Sequence, residues 1–218
     1  MKTTQTLLVA GALSAIMASA MPAQAANPQP LTITTMTGAV KIAQDLPCAN
    51  RMEITTPVVK GGMEMTWEPV DREKALFDLT RMTMFLGEFR ADASCKDIRG
   101  SVDFREIGIS LASTVRFTGE GDFDSGVFRF TIPKEQFLIY ESVTDSLDVQ
   151  QPERSYQRPS EDVTGEIDVR HQTVQLHVVL TTELHFRAGC SRDRCVIDEI
   201  DKGTATADVQ GSTVPPRR

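Results

Sequence analysis

The chain reads as an all-β protein, a single antiparallel β-barrel or β-sandwich with at most one short helix. Three observations carry that reading. Apolar residues alternate with polar ones from Leu31 onward, the two-residue period of a half-buried strand. Glycine, proline and polar clusters interrupt the alternation at short intervals. Helical spacing is confined to one ambiguous stretch, 134–148.

Residues 1–25 read as a cleaved signal peptide and not as structure. Lys2 supplies one positive charge, residues 7–20 are uncharged and mostly apolar or small, and Ala23-Gln24-Ala25 fits a signal peptidase. The run is diluted by Gly11, Ser14, Ser19 and Pro22, which argues against an uncut anchor. The mature chain is expected to start at Ala26, in the periplasm or medium, and to be soluble. Residues 26–214 suit one β domain, and 215–218 read as a frayed tail.

The strands expected in order are 31–36, 53–59, 63–70, 76–93, 101–109, 112–118 and 126–132. A hairpin of 163–169 with 174–186 follows, and then 204–214. Turns are expected at Gly61-Gly62, at 119–126 and around 170–173. Within 134–148, Phe137, Tyr140, Val143 and Thr144 have helical spacing, whereas Phe137, Ile139 and Glu141 suit a strand. The polar segment 150–162, with two prolines, reads as a long surface loop.

Composition narrows the function. The 218 residues carry a formal net charge of −7, and the leader holds no acidic residue. No aromatic-basic stripe is present, so a nucleic-acid surface is not expected. The four cysteines, Cys48, Cys95, Cys190 and Cys195, suggest two disulfides in an exported protein. Cys190 with Cys195 would tie a short charged turn, leaving Cys48 with Cys95 to close a long loop. Their spacing lacks the paired C-x-x-C of zinc and redox sites.

No catalytic constellation is legible. The chain has no G-x-S-x-G elbow, and His171, His177 and His185 all fall in one hairpin. His177 and His185 share a face but lie about 26 Å apart along the strand, too far to share an ion. Glu120, Asp122 and Asp124 sit among glycines in a turn that lacks the full calcium-loop spacing. No metal, cofactor or catalytic residue is therefore assigned. Ten Phe and nine Met point to a dry, adaptable interior, and two Tyr and one Trp leave little for an exposed aromatic platform.

Between Met84 and Phe186, four stretches stand out: Phe85-Leu86-Gly87-Glu88-Phe89, Ile98-Arg99-Gly100-Ser101-Val102, Val115-Arg116-Phe117-Thr118 and Val163-Thr164-Gly165-Glu166-Ile167-Asp168-Val169. Their order resembles the G-x-F, G-x-V, V-x-F and V-x-G-x-L/I segments of the YceI-like family of exported, lipocalin-like β proteins. The resemblance implies a barrel enclosing a long isoprenoid or fatty ligand, with no individual binding residue carried over. The expected function is a noncatalytic exported β-barrel binding an apolar small molecule, lipid or isoprenoid-like. The alternative is a cell-envelope β-sandwich module that binds another protein or itself.

Overall fold

The computed structural model describes residues 27–48, 50–95, 98–145, 153–188 and 196–213. The expected signal peptide, Cys190, Cys195 and the tail lie outside them. The described chain is all-β, with one 3-10 turn at Lys134–Gln136. Its strands are β1 (Gln29–Ile33), β2 (Thr35–Leu46), β3 (Asn50–Pro69), β4 (Lys74–Leu86), β5 (Phe89–Cys95), β6 (Ile98–Leu111) and β7 (Val115–Asp122). They continue as β8 (Val127–Ile132), β9 (Ile139–Asp145), β10 (Glu153–Gln157), β11 (Val163–Asp168), β12 (Thr173–Ala188) and β13 (Ile197–Ser212).

All pairings are antiparallel. The order β3-β2-β13-β12-β11-β8-β7-β4 returns to β3 through a β3–β4 ladder, so eight of the 13 strands follow one another around a ring. An eight-stranded ring is just wide enough for side chains to fill it. The other strands extend the sheet. β1 lies on the second half of β3, and β6 leaves the ring from the last residues of β4, carrying β5, β9 and β10 with it.

Alternation decides which face is dry. Phe77 and Leu79, Val115 and Phe117, Phe128 and Phe130, and Val174, Leu176, Val178 and Leu180 all point inward and are buried. Phe77 stacks on Phe117 with centroids 5.4 Å apart and meets Phe128 edge-on at 5.9 Å. Burying such a ring contributes roughly 1.5–3 kcal/mol. Glycine makes the room: a Cβ on Gly119 would lie 2.8 Å from the Phe77 ring, and one on Gly165 2.5 Å from Phe130. A second, smaller cluster of Leu46, Ala91, Val102 and Ile197 packs where β5 and β6 approach the ends of β2 and β13.

The outer wall is the chemical reverse. Asp78 and Arg116 face each other across β4 and β7 with two hydrogen bonds, 2.6 and 2.8 Å. Arg129–Glu166, Lys74–Glu120, Arg81–Glu64 and Lys202–Glu183 are likewise ion pairs between directly opposed residues. Membrane-spanning barrels carry an apolar outer band; this wall carries charges. Among the described residues no helix is long and apolar enough to cross a membrane.

Several expected boundaries move. Gly61-Gly62 is not a turn: β3 runs straight through it with register shifts on either side. A Cβ on Gly61 would lie 2.7 Å from the Thr83 carbonyl, and one on Gly62 2.9 Å from that of Ile33, so close main-chain approach explains both glycines. The expected strand 76–93 breaks at Gly87, whose N–H donates to the Pro57 carbonyl and whose carbonyl accepts from Thr56 Oγ1, both at 2.9 Å. The segment 150–162 is not all loop, since β10 lies within it. The ambiguous stretch resolves as the 3-10 turn followed by β9. The β11–β12 hairpin forms as expected.

Candidate functional site

The three histidines occupy the expected hairpin but form no common site. His171 sits in the β11–β12 turn with Nδ1 2.6 Å from Asp168, and His177 lies on the outer wall with Nδ1 2.7 Å from Asp208. His185 is at the register position opposite Ile200, far along β12. Among the described residues no group of three or more His, Cys, Asp or Glu is arranged to hold a metal ion. Cys48 is exposed in the β2–β3 turn, at φ 61°, and is not a free thiol; Cys95 ends β5.

The acidic turn helps to form an open cleft of about 1150 Å³ between the β3–β4 and β7–β8 connections. Asp71, Glu73, Glu120, Asp122 and Asp124 line it with Arg72, Lys74 and Phe123. Much of this charge is spent locally. Asp71 accepts from the Glu73 N–H and Asp122 from the Asp124 N–H, and Lys74 pairs with Glu120 at 3.3 Å. Phe123 turns inward against Phe128, with centroids 4.8 Å apart. The cleft thus reads as two braced turns.

A second concavity crosses the wall over β11, β12, β13 and β2. Two in-register rows form its sides: Glu166, Gln175, Gln210 and Thr37, then Thr164, His177, Asp208 and Ala39. Between them runs the row Gly165, Leu176, Val209 and Gly38, whose main chain makes the floor. The hollow is about 470 Å³ and shares Thr37, Gln175 and Gln210 with a neighbouring one of about 380 Å³.

The third feature is an aromatic outer face on β4, β6, β9 and β10. Tyr140 and Tyr156 are opposed in register with ring centroids 5.2 Å apart, and Tyr156 is 70% exposed. Ser110 faces Tyr140 from β6, and one step along lie Phe85, Gly108 and Ser142. A Cβ on Gly108 would lie 3.2 Å from the Phe85 ring, so the glycine lets that ring lie close over β6. Val59, bulged out of β3 beside it, is 61% exposed. The expectation of a dry Phe interior holds for Phe77, Phe117, Phe128, Phe130 and Phe137, but the aromatic surface was missed. Its only sequence signal is period-two alternation within 137–141, and Tyr156 has polar neighbours on both sides.

No family model and no curated protein matches the chain. One similar solved structure is that of Ail, the attachment invasion locus protein of Yersinia pestis, in complex with the heparin analogue sucrose octasulfate. The likeness covers 84% of this chain and 98% of that one at 8% identity and a TM-score of 0.36. A likeness at that score carries no weight on function.

Proposed function

We propose that the protein is a noncatalytic, exported β-barrel module that binds a partner protein of the cell envelope through the outer face of β4, β6, β9 and β10. The single observation that carries this is the exposed Tyr156 against half-buried Tyr140, on the same outer face as half-buried Phe85 and exposed Val59. Exposed aromatic patches rimmed by polar residues mark interaction sites, and tyrosine serves as an anchor there. Among the described residues β10 is the last strand of the sheet, next to the patch, where a sheet can take on a further strand.

The rival role, a barrel holding a lipid or isoprenoid as the YceI-like resemblance implies, needs an empty apolar interior. The ring is instead filled by its own side chains, and the three hollows described above lie on the outer surface. Export with cleavage before Ala26 and disulfides Cys48–Cys95 and Cys190–Cys195 belong to the same proposal. A photo-crosslinking residue at position 156, with a control at exposed position 131, tests the face in the native host. A discrete adduct from 156 alone supports the reading, and equal or absent adducts from both positions overturn it. An extra apolar mass on native mass spectrometry would restore the rival.

A further inference from the structure

We infer that the trough across β11, β12, β13 and β2 is a binding site for a hydroxyl-rich ligand, a short neutral oligosaccharide. The argument starts from what its walls can recognise. Gln175 and Gln210 are cross-strand neighbours in the middle of one side row, each with an amide that donates and accepts. Glu166 and Asp208 add acceptors at either side, and the Asp208 carboxylate holds His177 through Nδ1, leaving Nε2 as the ring nitrogen for a ligand. Sugar hydroxyls both donate and accept, so they match this mixture. The sides are two residues apart along each strand, about 6.8 Å, and the trough spans four strands, roughly 14 Å. That is the width of one sugar ring and the length of a short chain.

Other ligand classes fit worse. A phosphate-bearing ligand would meet two carboxylates, and Arg129, the cation beside Glu166 in its row, is already tied to that carboxylate at 3.1 Å. An extended peptide binds a sheet through free main-chain groups, whereas the floor residues Leu176 and Val209 are paired with strands on both sides. An apolar ligand would find Ala39 as the single aliphatic side chain on the two sides. The site shares neither strands nor residues with the aromatic face and stands independently of it.

The test is an NMR titration of the isotope-labelled protein with maltohexaose, cellohexaose and chitohexaose at millimolar concentrations. Saturable shifts of the Gln175 and Gln210 side-chain amides and the His177 ring with at least one of them are expected. Gln175→Ala with Gln210→Ala should weaken that binding about tenfold or more. Gln175→Glu, which keeps the side-chain length, gives the same reading should the double variant fold poorly. The inference is overturned when none of the three sugars produces saturable shifts, or when the shifts and affinity survive in the variants.

Discussion

Gln44 donates through Nε2 to the main-chain carbonyl of Asp201 at 2.9 Å, one step beyond the point where β2 stops pairing with β13. Gln44 and Gly203 are the last register pair of that ladder. The side chain therefore continues in amide form a hydrogen bond that the departing strand no longer supplies. Its Oε1 accepts from Thr182 Oγ1 at 2.7 Å, and the residue is 2% exposed, so both ends are satisfied inside the protein. Gln44→Leu keeps the bulk and strands both partners. A loss of about 1–3 kcal/mol is expected, read as a lower urea midpoint with an unchanged slope.

The side chain of Asp201 in the same corner has the opposite problem. Its Oδ2 is buried without a hydrogen-bond partner among the described residues. Burial first, and then the Asp45 carboxylate, push its pKa above the ordinary 3.8. The folded state thus binds this proton more tightly than the unfolded chain does, and stability falls as pH rises from 3.8 through the folded value. Asp201→Asn should stabilise the protein at neutral pH by on the order of 1 kcal/mol. The gain should fade as the pH is lowered below 3.8, which paired urea titrations at neutral and acid pH will show.

These corners also show what sequence could and could not reveal. The β11–β12 hairpin was legible because Val163, Ile167, Val174, Leu176, Val178 and Leu180 bury one face while the other stays wet. The glycine pair 61–62 misled because a turn and a close strand crossing both call for a missing Cβ, and only the positions of Thr83 and Ile33 distinguish them. β10 was illegible because a strand that pairs only with β9 among the described residues needs no apolar alternation. The Tyr140–Tyr156 pair and the wall trough depend on register between distant strands, which local pattern does not encode.

Asp168 should give an acid-sensitive contribution of the reverse sign. Burial alone would raise its pKa, but the N–H and ring of His171 and the N–H of Arg170 outweigh burial and hold it below 3.8. The carboxylate braces a turn in which Gln172 has a positive φ of 53°. Its contribution is complete above 3.8 and is lost as pH falls through the lower folded value. Asp168→Asn should cost about 1 kcal/mol at neutral pH, and the gap to the parent protein should close in acid. A gap that persists unchanged in strong acid would sink this account.

The aromatic core makes its own demand at Gly165. Its missing Cβ leaves the space that the Phe130 ring fills, and an alanine methyl would lie 2.5 Å from Phe130 Cζ and 2.3 Å from the Gln175 carbonyl oxygen. The ring can swing, but the carbonyl belongs to the β11–β12 ladder and cannot move without breaking register. Gly165→Ala is therefore expected to cost about 1–3 kcal/mol through overpacking. Shrinking the ring tests the cause: Phe130→Leu in the Gly165→Ala background should relieve only the aromatic clash. A double variant less damaged than the sum of the two single changes shows that the ring shares the strain. Strict additivity would assign the whole cost to the main-chain contact with Gln175.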